Sequence, residues 1–353
     1  MKTISSLGWA ALLLTACNVR LAGNDGDMVV EGFVRSTDGT PVSATLTAAD
    51  VSVAADGGFY LLHLPAPNGR VPVAASATGF APTVNVVEQR AGVFHYHSDV
   101  VLQPLQKLLP GADGGSFSVA SGNAAIFVSF AGNVAPFGGH VEVVSFSPEL
   151  TPGAGETSEG DDQRLQSLGA AYVRVVDASD HEASFGGPVT FTVVDRPALT
   201  GAGPQHTYGM NDDSVWVPAV NMDSAAAFTA NTSGFWQAAR AVKTACVKGT
   251  VVAPNRKCTG ERVQASASGV VSVDTTNGSG AFCVEGPQGV STATLQVGIT
   301  SKVVTFPAHA GSCSNSNDCF AVGELTVTDD DCPFSCLKTQ TDDPAGCRDG
   351  GQR

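Results

Sequence analysis

Charge is scarce in this chain, and positive charge is scarcest. Only 15% of the 353 residues are charged, and 19 Lys and Arg stand against 33 Asp and Glu, for a formal net charge of -14. Phosphate backbones need a basic face, so this balance excludes a nucleic-acid partner. Dilute acidity otherwise speaks of solubility and not of fold. The most apolar run, Leu7 to Ala16, is shorter than the roughly 20 residues a helix needs to cross a bilayer. Catalytic spacings are missing as well. The sequence has no His-Glu-x-x-His, no Gly-x-Ser-x-Gly nucleophile elbow, and no His-x-x-Glu zinc pair after any of its 7 His. Its glycine-rich pieces open strands and not helices, so there is no phosphate loop. No catalytic residue and no cofactor is therefore expected. A cryptic hydrolase in the middle of the chain is the remaining enzymatic alternative, and it requires convergent polar residues in a pocket.

What is present begins at the amino end. Met1-Lys2, the apolar Leu7-Gly8-Trp9-Ala10-Ala11-Leu12-Leu13 and the small residues before Cys17 have the layout of a secretory signal over residues 1–16. Leu14-Thr15-Ala16-Cys17 resembles the lipobox of bacterial lipoproteins. The resemblance implies that Cys17 is acylated and becomes the new first residue, so that the membrane is a partner through a lipid anchor. An ordinary signal with a chance Cys is the alternative. Two or three acyl chains, at about 0.8 kcal/mol per buried methylene, make a durable anchor. Asn18 stands where the family carries Asp for retention at the inner membrane, which implies the outer membrane, on its periplasmic or cell-surface face. Residues 17–27 are short and polar and read as a tether.

Length suggests two or three domains, and composition suggests β structure. The 40 Gly and 19 Pro supply turns and discourage long helices. From Met28, short alternating runs recur between turn clusters: Val29 to Val34, Val42 to Leu46, Val51 to Val53, Phe59 to Leu62, and Val71 to Ala75. Strands at this spacing predict a β-sandwich. The expected fold class is all-β, with tandem sandwiches of transthyretin-like or Ig-like Greek-key type after the signal.

Gly32-Phe33-Val34, Asp38-Gly39-Thr40-Pro41-Val42, Asp56-Gly57-Gly58-Phe59, Leu64-Pro65 and Gly79-Phe80-Ala81-Pro82 fall in the order of a known family. Together they resemble the carboxypeptidase regulatory-like domain, a transthyretin-like seven-stranded sandwich, here over residues 28–108. In that family the module is an accessory to a zinc peptidase, and without a catalytic body beside it the resemblance implies a spacer or binder. Residues 109–243 form a second β-rich region with runs such as Ala125 to Phe130, Val141 to Val144, Ala171 to Val176 and Val189 to Val194, and Pro148 to Gly160 reads as an exposed loop. Residues 244–328 restart the first motif. Cys246-Val247-Lys248-Gly249-Thr250-Val251 answers Val29-Val30-Glu31-Gly32-Phe33-Val34, and Asn277-Gly278-Ser279-Gly280-Ala281-Phe282 answers Ala55-Asp56-Gly57-Gly58-Phe59-Tyr60. This is an internal repeat, read as a second regulatory-like sandwich to which cysteines have been added. Residues 329–353 are an acidic tail, in which Asp329-Asp330-Asp331 and Asp342-Asp343 read as solvated and lack the spaced ligands of a calcium loop.

An exported chain meets oxidising conditions, where thiols pair. Of 9 Cys, removal of Cys17 leaves Cys246, Cys258, Cys283, Cys313, Cys319, Cys332, Cys336 and Cys347. The repeat holds an odd number of these and the tail an odd number, so if all pair within the chain, a bridge must join tail to sandwich. Cys313 to Cys319 brackets a natural small loop without fixing its pairing. Zinc is the competing use of these thiols, but the spacing departs from paired Cys-x-x-Cys knuckles. His95-Tyr96-His97 puts two imidazoles on one strand face, which without a third ligand nearby reads as an exposed or edge-strand pair. Trp216, Trp236 and Tyr208 are core or packing residues on one reading, and a glycan platform on the other. Anchor, repeated sandwich and absent catalytic pattern together point to a non-enzymatic, surface-anchored lipoprotein. It would act as a structural or adhesion module of the cell envelope, with a protein or glycan partner.

Overall fold

The computed structural model describes residues 28–65, 69–90, 93, 95–109, 114–121, 124–155, 163–194, 205–221, 227–254, 256–328 and 332. The leader, Cys17, the tether and the tail beyond Cys332, including Cys336 and Cys347, lie outside them. The fold is nearly all β, as composition and alternation imply, and its largest cores among the described residues are three clusters of β-branched, Leu and aromatic side chains.

In the first body, β1 (Met28–Ser36), β2 (Ala44–Ala48), β3 (Val51–Ala55), β4 (Phe59–Leu64), β5 (Arg70–Ser76), β6 (Thr83–Glu88), β7 (His95–His97) and β8 (Val100–Leu102) make two facing sheets. One has the order β4-β1-β7, with β8 also on β1, and the other β3-β2-β5-β6. Strict alternation decides the faces. In β4, Tyr60, Leu62 and Leu64 are buried while Phe59, Leu61 and His63 point outward, and the inward set meets Val30, Val34, Leu46 and Val73. Such a face removes each aliphatic side chain from water at about 1.5–3 kcal/mol apiece.

The middle body comprises β9 (Gln106–Leu108), β10 (Gly115–Ser121), β11 (Ala124–Phe130), β12 (His140–Phe146), β13 (Gln163–Val176), β14 (Val189–Val193), β15 (His206–Met210), β16 (Trp216–Asn221), β17 (Ala227–Ala230) and the first half of β18 (Gly234–Ala253). A sheet of order β10-β11-β14-β17 packs on β16-β15-β18-β13-β12-β9 around Ile126, Val128, Val143, Val173, Phe191 and Phe228. Two expectations change here. Gln106 to Leu108 pair with Val143 to Val141, so the segment before residue 109 serves the middle sheet and not the first sandwich. The expected exposed loop is also partly a wedge. Pro148–Leu150 and Pro152–Gly155 form two short 3-10 turns, and Thr151, Pro152 and Gly153 are buried. These turns touch β6, β13 and a strand of the third body, because proline-fixed backbone without a sheet partner fits between sheets where a strand would not.

The third body takes the second half of β18 with β19 (Arg256–Lys257), β20 (Arg262–Ala267), β21 (Val270–Thr275), β22 (Ala281–Pro287), β23 (Ala293–Val297), β24 (Thr300–Val304) and β25 (Phe320–Thr326). Its plan repeats the first body strand for strand. β1 pairs antiparallel with β4 and parallel with β7 and β8, and the second half of β18 pairs antiparallel with β22 and parallel with β25. The facing sheets run β3-β2-β5-β6 and β21-β20-β23-β24. The matching glycines recur for the same physical reason. A Cβ on Gly32 would lie 2.4 Å from the Ser98 oxygen and one on Gly249 2.6 Å from the Gly323 oxygen, while Gly58 and Gly280, both at positive φ, would each come 2.8 Å from a carbonyl oxygen, of Val34 and Val251. The backbones cross too closely there for any side chain.

β18 is one strand shared by two bodies. Up to Lys243, which pairs with Gln163, it belongs to the middle sheet; from Thr244, which pairs with Pro287, it belongs to the third sandwich. No turn residue interrupts it, so the two bodies share backbone hydrogen bonds as well as a contact surface.

Candidate functional site

Among the described residues, three disulfides tie the third body: Cys246–Cys319, Cys258–Cys332 and Cys283–Cys313. Cys313 and Cys319 bracket the loop as the sequence suggests, yet each pairs elsewhere. The bridge to Cys332 joins tail to sandwich and lies in the hydrophobic core beside Val251 and Phe282. The other two lie on the outer face of the β22-β18-β25 sheet, because Cys246 and Cys283 occupy strand positions opposite in phase to the core residues Val247 and Val284. The 3-10 segment Cys313–Asp318 roofs them. The sulfurs of Cys246, Cys283 and Cys319 lie within 4.8 Å of one another, but all are spent in disulfides, and a metal ligand must be a thiolate.

Of these outer bridges, Cys283–Cys313 lines a cleft of about 940 Å³ between the three bodies. The first body contributes Arg70, Glu88 and Arg90, the middle body Arg164, and the third body Lys248, Asp274, Glu285 and Glu324. Each charge has a partner. Arg90 binds Asp274 and lies 2.8 Å from Glu88, and its Nε donates to the Thr275 carbonyl at 3.3 Å. Burial works against that guanidinium, but Asp274 and Glu88 outweigh it and hold Arg90 above its usual range. Arg164 reaches Glu285 at 3.0 Å. Arg70 donates to the carbonyls of Asp213 and Ser214 at 2.8 and 3.0 Å. Lys248 donates to the Ser316 carbonyl at 2.6 Å, and Lys257 pairs with Glu324 at 3.2 Å. A remaining Glu285 oxygen accepts from the Cys313 N–H at 2.8 Å and from the Ser312 hydroxyl at 2.9 Å, while Asp274 accepts from the Cys283 N–H at 2.6 Å. The carboxylates thus hold the disulfide segments as well as the arginines.

A second junction forms at the histidines. β7 is an edge strand of its own sheet, but its outer side meets the third body: the His97 N–H donates to the Gly260 carbonyl at 2.9 Å, and His97 bridges to Glu261. The expected exposed pair is therefore largely enclosed, with side chains 12% exposed for His95 and 19% for His97. His95 Nε2 lies 3.2 Å from Glu31, His97 Nε2 3.2 Å from Asp99, and His97 Nδ1 3.3 Å from Glu261. Burial alone would discharge His97, but Asp99 and Glu261 reverse that and push it up to about 10. Burial raises Glu261 against the pull of His97, and burial lowers Arg262 to about 10. Each imidazole nitrogen of His97 faces a carboxylate, which makes this an ion-paired clasp. Only one of those nitrogens can serve a given cation, so the set does not converge as a zinc site.

The aromatic expectations separate. Trp216 and Tyr208 are 0% exposed; Trp216 donates from Nε1 to the Pro152 carbonyl at 3.0 Å, which fastens the wedge. Neither ring can present a face to a glycan, because alternation in β15 and β16 turns both inward against Leu165 and Ala239. Trp236 is half-buried against the middle core and donates to the Thr232 carbonyl at 3.2 Å. The contacts between bodies are invisible to spacing, since His97 and Glu261 lie 164 positions apart and Arg90 and Asp274 lie 184 apart. One signal was available: Asp274 and Glu285 are charged residues in otherwise apolar or neutral runs on buried strands, which demand a partner.

No protein-family model matches the chain, and no curated protein matches it. Among solved structures it is similar to the TIE protein of Bacillus anthracis, at 12% identity over 86% of this chain and 50% of that one, with a TM-score of 0.20. The chain thus spans about half the length of that protein. The major pilin subunit BcpA of Bacillus cereus matches at 9% identity over 86% of this chain and 99% of its own, TM-score 0.19. The full-length major pilin SpaD of Corynebacterium diphtheriae matches at 7% identity, over 86% and 98%, TM-score 0.19.

Proposed function

We propose that this protein is a non-enzymatic structural or adhesion module of the bacterial cell envelope, held to the outer membrane by acyl chains on Cys17. The observation that carries the reading is the state of the cleft's charges: Arg70, Glu88, Arg90, Arg164, Lys248, Asp274, Glu285 and Glu324 each engage another protein group. A catalytic cleft aims polar groups at a space where a reacting atom can sit. Here they are aimed at other protein groups, and three of them, Arg70, Arg90 and Arg164, reach across from one body to another and fix the bodies in place. The common plan of the first and third bodies supports reading both as regulatory-like sandwiches, accessory modules by that family resemblance. Disulfide closure suits an exported chain. Fractionation of cells expressing the Cys17→Ser protein tests the anchor: the expected result is loss of palmitate labelling and release from the membrane, and unchanged labelling and fractionation overturn it. A pull-down from intact cells with the purified folded body tests the module, with an envelope component as the expected capture. Hydrolytic activity abolished by a single substitution overturns the non-enzymatic reading.

A further inference from the structure

Two disulfides stacked on one sheet face, at the floor of an open cleft, have a chemistry that one buried disulfide lacks. Cys283 Sγ lies 3.5 Å from Cys319 Sγ although the two are not bonded to each other. That separation is within near-attack reach, but the sulfurs of Cys246, Cys283 and Cys319 lie within 4.8 Å of one another, so a released Cys283 must still swing into line with the Cys246–Cys319 bond. Cys283 and Cys313 line the cleft and are half-buried, whereas Cys246 and Cys319 are sealed beneath them. An external thiol therefore meets Cys283–Cys313 first. A Cβ on Gly311 would lie 2.9 Å from Cys246 Sγ, so the chain leading into Cys313 passes directly over that buried sulfur.

We propose that Cys246, Cys283, Cys313 and Cys319 form a thiol–disulfide exchange site opened by a low-molecular-weight thiol entering the cleft. The thiolate attacks Cys313 Sγ, forms a mixed disulfide there and expels Cys283 as thiolate. Cys283 then attacks Cys319 Sγ, the Cys283–Cys319 bond forms, the Cys246–Cys319 bond breaks, and Cys246 leaves as thiolate. Cys246 attacks the mixed disulfide on Cys313, closes Cys246–Cys313 and returns the original thiolate. Bonds and electrons balance without a net oxidant or reductant, and the external thiol is regenerated. The exchange moves the covalent tie of β25 from β18 to β22, its neighbour on the other side of β18. It leaves Cys258–Cys332 untouched, because that bridge sits in the hydrophobic core, away from the cleft. Exchange speeds up with rising pH as more of the attacking external thiol ionises.

The test is incubation of the full disulfide-bonded protein with reduced glutathione, acid quenching, alkylation and non-reducing peptide mapping. The expected result is loss of the Cys246–Cys319 and Cys283–Cys313 peptide pairs and appearance of Cys283–Cys319, with Cys258–Cys332 retained. Native pairing throughout, or opening of all bridges in parallel without any Cys283–Cys319 product, overturns the proposal. The Cys313→Ser protein gives a second, independent reading without added thiol. The thiol that this substitution frees is expected to be alkylated at Cys246 in some molecules and at Cys283 in others, and labelling at Cys283 alone overturns the proposal. The retained Cys258–Cys332 pair reports in the same map that the variant has folded.

Discussion

At the scale of single residues, the tightest constraints are close backbone crossings and one enclosed imidazole. Gly32 faces the Ser98 carbonyl so closely that a methyl group there would overlap it. Gly32→Ala is expected to destabilise the first body by about 1–3 kcal/mol, the usual range for overpacking, seen as a lower urea midpoint with unchanged slope. His97 makes a prediction of opposite character, in pH. Its folded value of about 10 stands above the unfolded 6.5, so the folded state binds the proton more tightly. The clasp's stabilisation is then complete below about pH 6.5 and is lost as pH rises toward 10. Glu261, raised by burial, acts in the same sense but from the carboxylate range upward, and the release of Arg262 near 10 closes the window from above. Urea unfolding between pH 6.5 and 10 should show stability falling with pH in the natural protein, and a flatter profile in His97→Gln. An equally steep fall in the variant would mean that the titrating group is elsewhere.

At the scale of elements, β18 carries the argument. Because it continues without a break from the partner β13 to the partner β22, melting either body strains the strand on which the other depends, and the two should unfold in one calorimetric transition. Two glycines inserted between Lys243 and Thr244 are expected to split that transition in two; a single transition in the insertion variant would show that the junction contacts, and not the strand, couple the bodies. This element also shows what a sequence can and cannot disclose. Alternation over Phe59 to Leu64, the Asp56-Gly57-Gly58 turn and the echo of Gly32 in Gly249 are local, and from them the sandwich class and the repeat are readable. The change of partner within β18 leaves no local mark, since both halves read as ordinary strand. Likewise Gln106 to Leu108 look like a last strand of the first sandwich until Val141 to Val143 are seen beside them. Disulfide pairing, the burial of Trp216 under Pro152 and the His97–Glu261 clasp depend on which distant segments meet. Parity of the cysteines narrows the first of these and says nothing of the others.

At the scale of the whole molecule, the ion-paired junctions and the bridges set how the chain responds to load. Arg90 and Asp274 join the first and third bodies with Asp274 nearly sealed from solvent. Removing Arg90 leaves the buried Asp274 without its cation and is expected to cost a few kcal/mol, below the roughly 3–5 of a fully buried pair, while Asp274→Asn costs less because Arg90 keeps Glu88. A double-mutant cycle of Arg90→Gln with Asp274→Asn should therefore show strong coupling, and additive single effects would deny the contact its role. The bridges act on a longer length scale. Cys258–Cys332 spans a sequence separation of 74, and Cys246–Cys319 one of 73 that overlaps it. Tension applied between Met28 and a handle beyond Cys332 passes through the first bridge and leaves the strands between its ends outside the load path. If that bridge is removed by Cys258→Ser, tension enters at Cys319 and crosses to Cys246. The loaded chain length is then nearly unchanged, because the residues gained from Cys319 to Cys332 about equal those lost from Cys246 to Cys258. Single-molecule pulling should therefore give nearly the same total extension for the natural and Cys258→Ser proteins. Full reduction should add about 250 Å, at roughly 3.4 Å for each released residue. A large gain in extension from Cys258→Ser alone would mean that the second bridge does not stand in for the first under load.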